Sequence, residues 1–187
     1  MIYLKNYCNK NVRFLGKKGK RMKVIFLDVD GVLNSEDDLL IYRAKNNITG
    51  CILYAEVEDR PLKLLKEIID KTNAKIVVSS SWRVGCDRSG KESIFGNKLY
   101  TKLINRLSDY DIEVYDITPS LSGDTQRGDE IREWLSKNPV DNFIILDDDS
   151  DMCEFLNTDH FIKTTYKHGL TEELKELAIK ILNKKSK

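Results

Sequence analysis

Two acidic residues, separated by one position, follow the first apolar run of the chain. Asp28 and Asp30 come directly after residues 24–27, which are apolar throughout and predict a buried strand. Side chains alternate in direction along a strand, so both carboxylates are expected to point the same way. Their repulsion is costly unless a cation or a shared proton relieves it. The pair predicts a metal or proton-transfer site or, alternatively, a surface turn in which Gly31 has a positive φ.

Three more polar groups occur at comparable places in the sequence. Ser79 and Ser80 follow a second apolar run, Arg127 opens a helix-like segment, and Asp147 with Asp148 follows a later apolar run. Carboxylate oxygens are ligands that suit Mg²⁺, and a cation with hydroxyl donors balances the charge of a phosphoryl group. One carboxylate can attack phosphorus while another moves protons. Each group alone is common in solvated turns, but their combination predicts phosphoryl transfer.

Strands and helices alternate along the part of the chain that must position these groups. The predicted strands lie within residues 24–27, 74–82, 112–117, 141–152 and 160–165, and the predicted helices lie within residues 60–73, 96–110, 126–138 and 171–185. Residues 35–60 predict an irregular insertion that is too short to be a domain. This alternation predicts a parallel α/β sheet with helices on both faces, which gathers the polar groups along one edge.

Four motifs in this order carry a resemblance to a known family. The segments "FLDVDGVLN", "IVVSSSWR", "RGDEIREWL" and "IILDDDSDM" resemble motifs one to four of the haloacid dehalogenase-like (HAD) phosphohydrolases. With the later "GLT", the chain more narrowly resembles the small HAD domain of RNA-repair proteins, and more broadly the phosphatase half of polynucleotide kinase-phosphatases. The resemblance spans about residues 22–172. It implies a Rossmann-like HAD fold of about five parallel strands with little or no cap domain.

The resemblance also implies roles for the four acidic residues. Asp28 would be the nucleophile that forms an aspartyl-phosphate and would bind Mg²⁺ through its other oxygen. Asp30 would be the general acid and base, with its backbone carbonyl on the metal. Asp148 would be a direct metal ligand, and Asp147 a ligand through water or a partner of the ligands. Mg²⁺ is therefore the implied cofactor.

The remaining site residues follow from the second and third motifs. Either Ser79 or Ser80 would hydrogen-bond the transferring phosphoryl group, and Ser79 is preferred because it directly follows the strand. Arg127 would take the place of the lysine usual in the third motif, although its planar fork is not equivalent to a lysine. Trp82 and Arg83 are candidates to position the substrate, by stacking on a base or pairing with a second phosphate. The alternative for Trp82 is a packing role.

These roles predict a Mg²⁺-dependent phosphomonoester hydrolase that acts through an aspartyl-phosphate intermediate. An open rim without a lid suits a bulky phosphorylated substrate, and the resemblance suggests nucleic-acid or nucleotide phosphate ends. Two alternatives stay open. A receiver-like signalling module would accept phosphate on an aspartate without rapid hydrolysis, and a catalytically degenerate domain would only bind.

Charge is distributed unevenly over the 187 residues, whose formal net charge is +1. Residues 1–21 contain seven Lys and Arg and no acid, which leaves 24 basic against 30 acidic residues in 22–187. We therefore expect a basic N-terminal extension followed by one HAD-like phosphatase domain over 22–187. The extension is either an arm that binds nucleic acid or a partner, or an incidental segment upstream of a natural start at Met22.

The cysteines and the hydropathy pattern predict a cytoplasmic protein. Cys8, Cys51, Cys86 and Cys153 are scattered without a CxxC pair, as in reduced proteins with incidental thiols. No apolar stretch approaches the length of a membrane span or forms a signal core. The sequence leaves the oligomeric state open.

Overall fold

In the computed structural model of the chain, which describes residues 22–50, 56–86 and 98–184, five parallel strands form one sheet. The strand order is β3-β2-β1-β4-β5. The strands are β1 (Met22–Leu27), β2 (Lys75–Val78), β3 (Val114–Ile117), β4 (Val140–Asp147) and β5 (Phe161–Lys163). The helices are α1 (Glu36–Asn46), α2 (Asp59–Thr72), α3 (Lys98–Ser108), α4 (Arg127–Lys137) and α5 (Glu172–Leu182). This Rossmann-like α/β architecture confirms the predicted fold class.

Strand β1 lies in the middle of the sheet, between β2 and β4. Its last residue, Leu27, pairs with Val78 of β2 and with Leu146 of β4. The three strands therefore end at the same level. The polar residues that follow each strand meet at the carboxyl edge of the sheet, where open α/β sheets bind ligands.

The core has two layers, one on each face of the sheet. On one face Ile25 and Leu27 pack with apolar side chains of α2, α3 and α5. On the other face Phe26 packs with Trp134 of α4 and with Phe143, at ring-centroid distances of 5.4 and 5.9 Å. Helices on both faces confirm the prediction. The wholly apolar run 24–27 within β1 is explained, because both of its faces are buried.

Helix α1 corrects the prediction that residues 35–60 are irregular. Ser35 caps this helix, because its hydroxyl oxygen accepts a hydrogen bond from the backbone N–H of Asp38 at 3.2 Å. Asp38 is the only buried residue of α1, and Arg60 of α2 holds its carboxylate with two hydrogen bonds of 3.0 Å. The helix therefore depends on its cap and this ion pair rather than on an apolar stripe, which is why hydrophobic periodicity did not reveal it.

Other expectations fall partly outside the described residues. The basic extension 1–21 and two of the cysteines, Cys8 and Cys51, lie there. Cys86 and Cys153 are both partly buried. In the described part of the chain, no helix has both the length and the apolar character needed to cross a membrane.

Candidate active site

Three carboxylates converge at the carboxyl edge of the sheet. Asp28 follows β1, Asp147 ends β4, and Asp148 comes next; one oxygen from each lies within 4.8 Å of the others. Asp28 is 5% exposed and Asp147 is fully buried. The structure thus brings together acids that are more than a hundred positions apart in the sequence. The backbone hydrogen bond from Asp28 to the carbonyl of Leu146, at 3.0 Å, fixes their relative height.

Gly31 is part of the same cluster because its backbone lies against the side chain of Asp148. A Cβ atom at position 31 would be 2.4 Å from Asp148 Cγ, and the φ of Gly31 is +67°. Thr164, just after β5, links the loop after β1 to the end of β4. Its hydroxyl donates to the carbonyl of Gly31 at 2.7 Å, and its N–H donates to the carbonyl of Asp147 at 2.9 Å. The positive φ and the close approach both require glycine.

Arg127 provides the positive charge of the cluster. Its Nη1 lies 2.9 Å from Asp28 Oδ1, and its Nε lies 3.2 Å from Asp147 Oδ2. The backbone N–H of Arg127 donates to the Asp151 side chain and that of Gly128 to the Asp151 carbonyl, at 3.2 and 3.0 Å. These bonds join the start of α4 to the turn that follows β4. The same contacts therefore hold the Arg127 guanidinium close to the acids of that turn.

Burial and mutual repulsion raise the pKa values of the clustered acids. Desolvation is the main cause of the raised pKa of Asp28, opposed first by Arg127 and then by a hydrogen bond from Ser80. Desolvation and the charge of Asp28 raise the pKa of Asp147, and Arg127 again opposes this. Desolvation also raises the pKa of Asp148, with a contribution from Asp149. The single positive charge of Arg127 thus does not balance the negative charges of the three carboxylates.

The donor set of this cluster fits a hard divalent cation. All three groups that could hold an ion are carboxylates, the type of ligand that Mg²⁺ binds. Asp147 Oδ2 is buried without a hydrogen-bond partner, since its contact with Arg127 is an ion pair without hydrogen-bond geometry. A cation beside Asp28, Asp147 and Asp148 would relieve both the repulsion and this unsatisfied oxygen.

The two serines of the second motif have different surroundings. Both are fully buried. The Ser80 side chain hydrogen-bonds Asp28, and its oxygen accepts the N–H of Trp82 at 3.3 Å. The Ser79 hydroxyl is buried without a hydrogen-bond partner, while the Ser79 carbonyl accepts a hydrogen bond from Arg127. Ser80, and not Ser79, therefore contacts the nucleophile candidate Asp28. The sequence had favoured Ser79 as the serine that binds the phosphoryl group.

Asp30 is held by two neutral donors. Trp82 Nε1–H donates to one carboxylate oxygen at 2.8 Å, and Asn34 Nδ2–H donates to the other at 2.9 Å. The Asn34 side-chain oxygen in turn accepts the N–H of Gly31 at 3.1 Å. Asn34 was not assigned a role from the sequence. Its position four residues after Asp30, at the end of "DVDGVLN", was the available signal.

Trp82 and Arg83 lie inside the protein, in contrast to the substrate-contacting roles suggested from the sequence. They are 2% and 4% exposed. The guanidinium of Arg83 donates to four backbone carbonyls and to one carboxylate, those of Ser79, Ser80, Thr118, Pro119 and Glu130. These bonds use all five N–H donors of an arginine. Arg83 thus has no donor left for a second phosphate, and the indole of Trp82 offers no open face to a base.

The family of the chain follows from a comparison of sequences. A sequence profile described as the HAD domain in Swiss Army Knife RNA repair proteins matches residues 24–174, which contain every site residue described above. No curated protein and no solved structure matches the chain. HAD domains are generally hydrolases that act on phosphate esters. With the parallel five-stranded sheet and the acidic cluster at its carboxyl edge, this match shows that the chain belongs to the HAD superfamily, in the branch found in RNA-repair proteins.

Proposed function

We propose that the protein is a Mg²⁺-dependent phosphomonoester hydrolase that acts through an aspartyl-phosphate on Asp28. The observation that carries this proposal is the surroundings of the Asp28 carboxylate. It lies within 4.8 Å of the Asp147 and Asp148 oxygens, 2.9 Å from Arg127 Nη1, and in a hydrogen bond with Ser80. These neighbours support the proposal, because a nucleophile, metal ligands and phosphate-binding donors would then all meet at one carboxylate.

Four residues of the chain would hold the cation. Asp28 and Asp148 would bind it through carboxylate oxygens and Asp30 through its backbone carbonyl, with Asp147 beside them as a direct or water-mediated ligand. Bound there, Mg²⁺ neutralises charge on the carboxylates and on the oxygens of the transferring phosphoryl group. The buried oxygen of Asp147 and the close approach of Gly31 to Asp148 support this assignment.

Asp28 performs the first half of the reaction. One of its oxygens attacks phosphorus, so that a new O–P bond forms while the ester O–P bond breaks. Arg127 balances the charge on the phosphoryl oxygens. A serine hydroxyl adds a hydrogen bond, and the contact between Ser80 and Asp28 favours Ser80 for this role over Ser79.

Asp30 moves the protons in both halves. It donates a proton to the leaving oxygen as the ester bond breaks, so that the alcohol departs neutral. It then takes a proton from water as that water attacks the aspartyl-phosphate, which releases inorganic phosphate and regenerates Asp28. The hydrogen bonds from Trp82 and Asn34 keep the carboxylate in place between these two steps.

We further propose phosphorylated nucleic-acid or nucleotide ends as the substrate class. The family description names RNA repair, and the described residues include no cap domain over the cluster. The segment after β5 adds recognition groups, because Tyr166 is 57% exposed and Lys167 is exposed. This segment begins at Thr164, which bonds both Gly31 and Asp147. An aromatic ring beside a cation suits a base and its phosphate.

Hydrolysis of p-nitrophenyl phosphate by wild type and Asp28→Asn tests the reaction. We expect Mg²⁺-dependent hydrolysis, loss of activity in EDTA, and at least a thousandfold decrease in kcat for Asp28→Asn with an unchanged circular dichroism spectrum. Asp149→Asn is the matched control, because Asp149 belongs to the same acidic run but is exposed. Full activity of Asp28→Asn, or activity that needs no metal, would contradict the proposal.

The lifetime of the phosphorylated enzyme separates hydrolase from signalling module. For a hydrolase, phosphoaspartate should decay within the turnover time after substrate is removed. Persistence for many minutes would instead support the receiver-like alternative. The substrate class is tested with 3′- and 5′-phosphorylated oligonucleotides beside mononucleotides and sugar phosphates, and preference for sugar phosphates would contradict it.

A further inference from the structure

Both carboxylate oxygens of Asp30 already have a partner within the protein. Trp82 Nε1–H donates to Oδ2 at 2.8 Å, and Asn34 Nδ2–H donates to Oδ1 at 2.9 Å. Trp82 is 52 positions away from Asp30 in the sequence, whereas Asn34 is four positions away. The orientation of this carboxylate is therefore determined from two independent segments.

The indole is itself held rigidly. Trp82 is 2% exposed and lies in the short 3-10 helix Ser81–Arg83. Ser80 caps this turn by accepting the N–H of Trp82, and Arg83 binds the carbonyls of Ser79 and Ser80. Because the ring is packed and its backbone is fixed at both ends, its N–H points in a set direction. The hydrogen bond from this N–H therefore orients the carboxylate of Asp30.

Both donors are neutral groups that do not release a proton near neutral pH. They can orient Asp30, but a proton that reaches the leaving group must come from Asp30 itself. A carboxylate has about four lone-pair sites, so the two hydrogen bonds leave room for the proton that Asp30 donates to the leaving oxygen.

From these contacts we infer that Trp82 is a positioning residue, with Asn34 as its counterpart, and that it aims Asp30 at the oxygen of the leaving group. The inference rests on the proposed function, because it concerns the acid and base of that reaction. It also replaces the base-stacking role that the sequence suggested for Trp82.

A change of leaving group provides the test. Glycerol 2-phosphate needs a proton on its alkoxide as it leaves, whereas p-nitrophenolate leaves without one. For Trp82→Phe, which removes the N–H donor, we expect kcat/KM for glycerol 2-phosphate to decrease by about tenfold or more, since general acid catalysis contributes roughly 10²–10⁴-fold. We expect kcat/KM for p-nitrophenyl phosphate to stay within about twofold.

The aryl ester offers a second readout that a loss of folded protein would not produce. Its kcat/KM reports the first irreversible step, but its kcat also includes hydrolysis of the aspartyl-phosphate, which needs Asp30 as a base. We therefore expect Trp82→Phe to lower kcat and KM together for p-nitrophenyl phosphate. Equal losses of kcat/KM on both esters, or no loss on either, would overturn the inference.

A double-mutant cycle separates action through Asp30 from a general effect. In the Asp30→Asn background, Trp82→Phe should cause no further decrease in kcat/KM for glycerol 2-phosphate. A second, independent decrease would overturn the positioning role. Should Trp82→Phe not fold, Trp82→3-benzothienylalanine keeps the shape of the ring but lacks the N–H, and the same leaving-group pattern is expected from it.

Failure of this inference is distinguishable from failure of the proposed function. If wild type hydrolyses neither ester with Mg²⁺, the proposed reaction and the inference both fall. If wild type and its metal dependence behave as proposed but the variants show no dependence on the leaving group, the positioning role alone is overturned.

Discussion

Arg127 and Asp28 form an ion pair at the centre of the site, with 2.9 Å between Nη1 and Oδ1. The same guanidinium contacts Asp147 through Nε at 3.2 Å. A single side chain at the start of α4 therefore contacts acids at the carboxyl ends of two neighbouring strands. It thus places one positive charge between the nucleophile candidate and the acid that ends β4. Its position also suits a group that balances charge on a bound phosphoryl group.

Replacement of Arg127 should affect catalysis according to the charge retained. We expect Arg127→Ala to lower kcat/KM by roughly 10²–10³-fold, as for loss of one preorganised donor, and Arg127→Lys to lose less because it keeps the cation. Steady-state kinetics on p-nitrophenyl phosphate measure this. Arg132→Ala is the control on the same helix, since Arg132 is half-exposed and pairs with Glu154. Equal activity of Arg127→Ala and wild type would contradict the assigned role.

A methyl group at position 31 should displace Asp148, one of the proposed metal ligands. In Gly31→Ala the new Cβ would meet Asp148 Cγ at 2.4 Å in a backbone region with φ of +67°, so Asp148 must shift. We expect Mg²⁺ affinity, measured by calorimetric titration, to decrease at least about tenfold. Gly50→Ala is the matched control, because a Cβ there meets no atom within 4 Å. Unchanged affinity in Gly31→Ala would contradict the placement of Asp148 among the ligands.

Stability without metal should fall as the pH rises. The pKa values of Asp28 and Asp147 are raised in the folded protein, so above about pH 4 the folded chain binds more protons than the unfolded chain. The contribution of these two groups to the free energy of unfolding therefore decreases as pH rises through the raised pKa values. Bound Mg²⁺ would compensate the ionised forms.

The corresponding measurement compares the Tm in EDTA and in saturating Mg²⁺. A ligand at about a hundred times its Kd adds about 2.7 kcal/mol, which corresponds to roughly 5–10 °C for a chain of this size. We expect this increase at pH 8 and a much smaller one at pH 5. Calorimetry on Asp28→Asn serves as the control and should show a reduced increase. An increase that is largest at pH 5 would contradict the prediction.

Arg83 should behave as a structural residue. Its side chain is 4% exposed and pairs with Glu130, besides binding four carbonyls. Arg83→Ala would remove the side-chain donors from the carbonyls of Thr118 and Pro119 and break the ion pair with Glu130, so we expect it to lower the free energy of unfolding by about 3–5 kcal/mol in urea titrations. Val84→Ala, at an exposed neighbouring position, should change it little. A stable Arg83→Ala variant with weakened substrate binding would instead restore the role expected from the sequence.

Tyr166 should contribute to binding of a nucleic-acid end. For Tyr166→Ala we expect kcat/KM to decrease by about tenfold on a phosphorylated oligonucleotide and to stay within twofold on glycerol 2-phosphate, because stacking on a base is worth about 1–3 kcal/mol. Leu177→Ala, at a position that is exposed on α5, is the control for loss of a large surface side chain. Equal effects of Tyr166→Ala on both substrates would count against nucleic acid as the substrate class.

The sequence alone determined the sheet and the meeting of the acids at its edge. Apolar runs alternating with helical segments specify parallel strands, and parallel strands end together, so Asp28, Asp147 and Asp148 were predictable as neighbours. Helix α1 was not predicted, because its sequence signal is the cap at Ser35 and the acids of the first turn rather than hydrophobic periodicity.

Only the tertiary structure decided where the side chains beyond the strand ends point. Alternation ceases to specify direction once a strand has ended, and the direction is then determined by what packs against the loop. Trp82 turns inward onto Asp30, and Arg83 onto four carbonyls and Glu130, because acceptors that are buried or partly buried need donors. Nearness in the motif "SSSWR" could not reveal those partners, since they belong to segments that meet only in the folded chain.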